Sequence, residues 1–255
     1  MNPVVTIVVP TRGDRPDYLA ECISSIRAQD VPLRLTLVTD DDATADRLRR
    51  EAVGADVVVQ PGNGAAAAID HVLRRADTPF CAWLGDDDML VPGSMQESVK
   101  RLTQEPRATG VFGRCEVIDA HGAVVGSIPT GWWAPTFSRF GRDLIPQPGS
   151  VLRTAAYQAV GGLDNALRYA FDLDLFLKLA AAGKLEFTPH ILARFRWHEM
   201  SLTATNPAPQ EEARWVRRRH LPAPLRATEG LWSPIADVAS RAIYAVNRRR
   251  NVTRT

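Results

Sequence analysis

Apolar positions in the first part of the chain switch repeatedly between two spacings. Val4-Val5-Thr6-Ile7-Val8-Val9 is a largely β-branched run, the pattern of a strand buried on both faces. Leu19, Cys22, Ile23 and Ile26 then recur at i, i+3, i+4 and i+7, one face of a helix. Leu35 to Val38 and Val57-Val58-Val59 read as further strands, with a charged helical stretch around Arg47 to Glu51 between them. After Gly62-Asn63-Gly64, the set Ile69, Val72, Leu73 and Ala76 predicts another helix, which feeds a strand over Phe80 to Leu84. Strands alternating with helices make a Rossmann-like half.

The second half changes character. Val111 to Ile118 and Ala123 to Ile128 flank Asp119-Ala120-His121-Gly122, a hairpin turn, so antiparallel strands join the sheet. Gly131-Trp132-Trp133 through Gln147-Pro148-Gly149 has little periodicity and reads as a long loop, a common seat of function. Helices are predicted near Ala155 to Val160 and Asp172 to Ala182, then a strand over Ile191 to Trp197. The fold class is α/β, a single mixed, mostly parallel sheet flanked by helices.

With 255 residues, 45% of them hydrophobic, the chain can bury one good core and an appendage. No apolar run approaches the ~20 residues that cross a bilayer, and Met1-Asn2-Pro3 leads straight into the first strand. The expectation is a cytoplasmic protein. Cys22, Cys81 and Cys115 lie far apart in apolar segments, match no metal or redox spacing, and read as buried thiols. The net charge of +2 hides an asymmetry: from Asn206 onward ten arginines face four acids, a balance of +6 that leaves the first 205 residues at −4. With the closely spaced Pro207 and Pro209, this places a boundary between a domain at 1–205 and a basic, Pro-interrupted extension at 206–255.

Two acidic clusters follow predicted parallel strands, Asp40-Asp41-Asp42 and Asp86-Asp87-Asp88. Neighbouring carboxylates repel unless a cation sits between them, and a hard divalent ion is the usual one. Ligands of open α/β sheets bind beyond the carboxyl ends of strands, where such side chains are delivered. A solvated acidic turn leading to a helix at Pro92 explains the second cluster without chemistry. Neither a glycine-rich dinucleotide fingerprint nor a P-loop is present: Pro10-Thr11-Arg12-Gly13-Asp14 follows the first strand. Phosphates would then need a metal and basic side chains.

Val9-Pro10-Thr11-Arg12, Val38-Thr39-Asp40-Asp41, Leu84-Gly85-Asp86-Asp87-Asp88 with Pro92, Gly161-Gly162-Leu163-Asp164, Asp172 opening a helix, and Arg196-Trp197-His198 together resemble glycosyltransferase family 2, the large inverting group with the GT-A fold. The resemblance covers residues 4 to 203 in the family's motif order. It implies a metal-dependent inverting glycosyltransferase. A sugar would move from a nucleoside diphosphate sugar, UDP-sugar by default, to the hydroxyl of a glycan, lipid-linked or small-molecule acceptor in cell-envelope or other glycan biosynthesis.

By position, the resemblance implies that Pro10, Thr11 and Asp41 line the donor's base pocket, with Asp40 beside them. Asp86 and Asp87 would contact ribose or metal, and Asp88 would be the carboxylate most directly on Mn²⁺ or Mg²⁺. Asp172 would be the general base that takes the acceptor's proton. Asp174, two residues on, has a surface ion pair with Lys178 at i, i+4 as its plain explanation. A carboxylate such as Asp172 at a helix start can also be only a cap. Arg196 and His198 alternate on a strand; His198 is a further possible metal ligand and Arg196 a phosphate or acceptor contact. Gln147, Trp132 and Trp133 lie where acceptor loops occur, with satellite core packing as the plain alternative for the tryptophans.

Three departures stand out. Phe171 replaces an acidic residue common before the base, Gly85 replaces a frequent aspartate, and Ile69-Asp70 stands where an Arg-Asn pair often meets the donor. The missing positive charge would then come from Arg12, Arg139 or Arg142. In the tail, Ile235, Val238, Ala239, Ala242 and Val246 form an apolar stripe beside Arg241 and Arg248-Arg249-Arg250. Such a helix either lies on an anionic membrane as a peripheral anchor or docks onto the catalytic domain. Nucleic-acid binding is not expected from an acidic body without a recognition motif. A transferase-like module that binds nucleotide or glycan without turnover is the alternative function.

Overall fold

The computed structural model describes residues 2–60, 62, 64–197, 208–228 and 233. In chain order the elements are β1 (Val5–Pro10), α1 (Pro16–Arg27), β2 (Leu33–Thr39), α2 (Asp42–Glu51), β3 (Asp56–Val59), α3 (Gly64–Leu73), β4 (Phe80–Trp83), β5 (Met89–Leu90) and α4 (Ser94–Gln104). They continue with β6 (Ala108–Ile118), β7 (Val124–Ser127), α5 (Ala134–Phe137), β8 (Val151–Arg153), α6 (Thr154–Ala159), α7 (Phe171–Ala182), β9 (Lys184–Arg196), α8 (Ala208–His220) and α9 (Ala223–Ala227).

One sheet runs in the order β3-β2-β1-β4-β8-β6-β9-β5, with β7 paired to β6. β1 lies parallel between β2 and β4, Val5 opposite Leu33 on one side and Phe80 on the other. Successive β1 side chains enter different layers, as a two-sided strand requires. Val5, Ile7 and Val9 pack with Leu19, Cys22, Ile26 and Leu48 of α1 and α2 and with Met95 and Leu102 of α4. Val8 packs on the opposite face with Ile69 and Leu73 of α3, Tyr157 of α6 and Phe176 of α7. All three cysteines are buried and free.

The chain turns from β1 through β2 to β3 on one side, then returns to place β4 on the other. This reversal opens a crevice beyond the ends of β1 and β4, where Pro10-Thr11 and Leu84 to Asp88 emerge. The hairpin at Asp119 to Gly122 forms as expected, with the Asp119 Oδ1 accepting the N–H groups of His121 and Ala123.

The last strand starts seven residues earlier than its apolar pattern predicts, at Lys184 rather than Ile191. Pro189 masks it. Opposite Gly113 and Arg114 the partner jumps from Thr188 to Ile191, so Pro189 and His190 sit in a bulge that asks no ladder hydrogen bond of the proline. The long segment 131–149 holds one short helix, α5. Within the basic extension, α8 buries Val216 against Leu167, Ala170, Leu173 and Leu177, so it is docked on α7. The expected boundary at 205/206 and the stripe from Ile235 to Val246 lie outside the described residues. No described helix is long and apolar enough to cross a membrane.

Candidate active site

The acidic turn is assembled by long-range contacts. Asp88 N–H donates to the Gly85 carbonyl at 3.1 Å, folding the turn back just beyond β4. A side chain at residue 85 would meet the carboxylates of Asp87 and Asp88 at 2.9 Å, which accounts for glycine in place of the acid expected there. Thr11 Oγ1 donates to Asp86 Oδ2 at 2.7 Å and itself accepts Gly13 N–H at 2.9 Å. Arg15 supplies the cation that crowded carboxylates demand: its Nη2 is 2.6 Å from Asp86 Oδ1 and its Nη1 2.6 Å from Asp87 Oδ2. Arg15, which stands just before α1, was not singled out from the sequence; Arg12, expected to offer positive charge to the donor, is exposed.

Both Asp86 oxygens are therefore engaged, which argues against Asp86 as a direct metal ligand. Burial still holds its carboxyl above the usual range, against the Thr11 hydrogen bond and the Arg15 charge. Asp88 is the different member. Its Oδ1 accepts Arg196 N–H at 2.9 Å, and its Oδ2 accepts no hydrogen bond from the described residues. Burial, and then the neighbouring Asp87 charge, push its carboxyl well up. A carboxylate oxygen with no donor among the described residues, beside two more acids, fits a hard divalent cation. Among the described residues no three His, Cys, Asp or Glu side chains form a ready cage. His198, the other expected ligand, lies outside the described residues. Of the three acids, Asp88 is the one that could hold such an ion.

Arg196 is not an acceptor contact. It is 1% exposed, and every guanidinium nitrogen is used inside the protein. Nε donates to the Asp87 carbonyl at 3.0 Å, Nη1 to the carbonyls of Asp119 and Ala120 at 3.3 and 3.2 Å, and Nη2 to Glu21. The guanidinium also lies over the Tyr18 ring, 4.3 Å from its centroid. Arg196 thus fastens the acidic turn to the hairpin and to α1. Its planar fork suits that task, and alternation on β9 points it inward.

Pro10 is opposite Val38, so the ends of β1 and β2 are level and Asp40 and Asp41 follow at the same edge. Both aspartates are exposed. Asp41 accepts Thr44 N–H at 2.8 Å as the cap of α2, and the Thr44 hydroxyl, followed by this N–H, lowers its carboxyl. The unexpected Asp70 is buried and structural. It accepts Tyr157 Oη–H at 2.7 Å, Leu163 N–H at 3.0 Å and Arg74 Nε–H at 2.5 Å. Gly162, at φ 64°, passes so close that a Cβ would fall on Asp70 Oδ1, and Gly161 before it sits at φ 85°, which together explain the paired glycines of Gly161-Gly162-Leu163.

Asp172 occupies the first turn of α7, half-buried, with Oδ1 accepting Leu173 N–H at 2.8 Å. Burial, with a contribution from the Glu212 charge, raises it to about 6. Asp143, unanticipated from sequence, is pushed to about 7 by burial and by the charge of Asp172 beside it, with Arg217 opposing. Gln147, four residues after Asp143, donates to the Trp83 carbonyl at 2.8 Å and ties this loop to the end of β4. Asp174 corrects the surface expectation. It does pair with Lys178, at 2.6 Å, but it is fully buried and also meets His220 Nε2 at 2.7 Å and Arg219 at 3.6 Å. Helix α8 covers it, and these partners lower its carboxyl against the cost of burial. Trp132 is 81% exposed, whereas Trp133 packs edge-on to Phe137 at 5.8 Å and joins the core, as its packing alternative anticipates.

Comparison with known proteins bears on the family and the fold. The family model described as glycosyl transferase family 2 matches residues 6–155. Curated relatives include an uncharacterized glycosyltransferase of Rickettsia felis, 24% identical over 77% of this chain and 34% of its own length. The chondroitin synthase of Pasteurella multocida is 22% identical over 72% of this chain and 20% of that protein. A pre-mycofactocin glycosyltransferase of Mycobacterium tuberculosis is 26% identical over 84% and 45%. The chain spans from a fifth to less than half the length of these three relatives. Among solved structures, S. aureus TarS 1-349 in complex with UDP-GlcNAc superposes with TM-score 0.65 at 15% identity, covering 90% of this chain and 69% of that one. The mannosyltransferase PcManGT of Pyrobaculum calidifontis, in complex with GDP-Man and Mn²⁺, gives 0.60 at 18% identity, covering 96% and 75%.

Proposed function

Because this chain belongs to glycosyltransferase family 2 and is a transferase with the GT-A fold, we propose that it moves one sugar from a nucleoside diphosphate sugar to an acceptor hydroxyl with inversion, using a divalent ion on Asp88 and Asp172 as general base. UDP-sugar is the proposed donor. Neighbouring folds hold UDP-GlcNAc in one case and GDP-Man in another, so the nucleoside is chosen by resemblance rather than by these structures.

One observation supports the reading: the loop from Asp143 to Gln147 runs between Asp172 and the end of β4, the strand that delivers the acidic turn. The acidic turn at the end of β4 is neutralised by Arg15 except at Asp88, whose Oδ2 is left for a cation. Asp172 is half-buried and raised to about 6, which suits a base that must take a proton near neutral pH. The loop from Asp143 to Gln147 joins the two, reaching Asp172 at one end and the Trp83 carbonyl at the other. A divalent ion bound there neutralises charge developing on the diphosphate leaving group.

In the step itself, the acceptor oxygen attacks the anomeric carbon from the face opposite the diphosphate. The new C–O bond forms as the bond to the diphosphate oxygen breaks, and Asp172 receives the hydroxyl proton. Thr11 and Arg15 keep Asp86 and Asp87 in place while the nucleoside occupies the edge near Pro10, Asp40 and Asp41. Exposed Trp132 offers a ring face to the acceptor sugar. A glycan, lipid-linked or small-molecule acceptor is compatible with this geometry, and peripheral membrane contact through the tail remains part of the proposal, as does the division at residues 205 and 206.

The test is donor turnover. Release of nucleoside diphosphate from UDP-, GDP- and dTDP-sugars is followed with Mn²⁺, Mg²⁺ or chelator in the wild type and in Asp88→Ala. Turnover of one donor that needs the ion and is lost in the variant supports the reading. Full turnover of Asp88→Ala in chelator contradicts it.

A further inference from the structure

Helix α8 lies in the basic extension, yet its polar side chains converge on the start of α7. Glu212 Oε1 accepts the N–H groups of Arg168, Tyr169 and Ala170 at 3.1, 2.7 and 2.7 Å, and Oε2 also meets Arg168 N at 3.1 Å. Ala170 is the cap residue of α7 and provides no side-chain cap of its own. A carboxylate here satisfies backbone donors and complements the positive end of the helix dipole. Bonds from N–H groups to a charged acceptor are among the stronger ones.

The grip continues past the first turn. His220 and Arg219 reach Asp174 from the end of α8, and Arg219 also pairs with Asp164 at 2.8 Å. Between these polar ends, Val216 inserts among Leu167, Ala170, Leu173 and Leu177. The residue held between Ala170 and Asp174 is Asp172.

We propose that Glu212 is a positioning residue for Asp172: by clamping the turn at 168–170 it fixes where α7 starts and hence where the base points. This inference rests on the reading of Asp172 as the general base. Glu212 makes no claim on substrate; it acts through the backbone. It also acts through charge. Among the described residues, the charged groups tied to Asp172 include Glu212 from α8 and Asp143 from the 138–150 loop, which Arg217 of α8 opposes; the next carboxylate on α7, Asp174, is held by Lys178 of α7 and by His220 and Arg219 of α8. The Glu212 carboxylate helps keep Asp172 protonated to higher pH, so removing its charge moves the acid limb of the rate profile downward.

The experiment measures kcat and donor KM against pH for the full chain, as wild type, Glu212→Gln, Glu212→Asp and Asp172→Asn. Glu212→Gln is expected to lower kcat about 10- to 100-fold, the scale of a base displaced by a fraction of an ångström to an ångström. Its donor KM stays unchanged and its acid limb moves to lower pH, which a purely structural loss does not do. Glu212→Asp keeps the charge and so keeps the limb, while its shorter reach leaves kcat reduced. Wild-type kcat and limb in Glu212→Gln overturn the inference even when Asp172→Asn is inactive. Undiminished turnover in Asp172→Asn instead removes the base assignment, and the inference with it. Should Glu212→Gln not fold, Glu212→Asp decides: reduced kcat at an unchanged limb supports the clamp, and wild-type kcat overturns it.

Discussion

Arg15 Nη2 lies 2.6 Å from Asp86 Oδ1 across 71 positions of sequence, joining the start of α1 to the turn after β4. The same guanidinium holds Asp87, so one cation orders two of the three consecutive acids. Removing it leaves a nearly buried carboxylate short of its charge partner. Arg15→Ala is expected to cost about 2 kcal/mol of unfolding free energy, below the ~3–5 kcal/mol of a wholly buried pair because Arg15 is partly solvated. It also weakens donor binding, since unbalanced carboxylates then repel the diphosphate. Arg15→Lys restores only part of either, because an ammonium cannot span both carboxylates as a fork. Denaturant melts and nucleotide titrations read the two effects.

Arg196 gives a contrasting expectation. As its donors end on backbone carbonyls and Glu21, Arg196→Ala is expected to destabilise by more than ~3 kcal/mol, with three carbonyls and a carboxylate losing their partner at once. Acceptor KM in whatever folded enzyme remains is expected to stay near wild type. A large KM change with unchanged stability would restore the acceptor role that the sequence pattern implied.

With Asp172 as the proposed base, activity and stability are expected to respond oppositely to pH. Its carboxyl is raised to about 6 in the fold, so the base is lost by protonation below that value and the rate rises as pH climbs through it. For stability the sign reverses. A group with a raised folded pKa contributes stability that is fully present below its unfolded value near 4 and is lost as pH rises through about 6. Asp172→Asn is therefore expected to reduce kcat by about 10² to 10⁴ while gaining of order 1 kcal/mol of stability at pH 8. Rate profiles and melts at two pH values check both signs.

Much of this was legible in the chain. The β-branched run of β1, the i, i+3, i+4, i+7 stripe of α1 and the acidic turn after β4 are local patterns, and each formed where its spacing put it. What escaped was non-local. Arg15 and Asp86 are neighbours only after β1 and β4 pair, and nothing near Arg15 marks it off from Arg12. Asp174 reads as surface from its own helix because the groups that bury it come from α8. The extension showed its charge and prolines but not Val216, the buried residue of α8, whose pocket is built by α7 and the segment before it. Asp143 sits in a loop without periodicity, and only its meeting with Asp172 distinguishes it. Pro189 hid the first half of β9 because a bulge excuses a proline that an intact ladder would not.

The most direct test of the account is calorimetric binding of UDP, GDP and dTDP, each with and without Mn²⁺, to the wild type and to Asp88→Ala. The account predicts that one nucleotide, UDP first, binds in a Mn²⁺-dependent manner and that Asp88→Ala removes the dependence. Binding of equal strength without the ion, unchanged in Asp88→Ala, would contradict a metal held at that carboxylate.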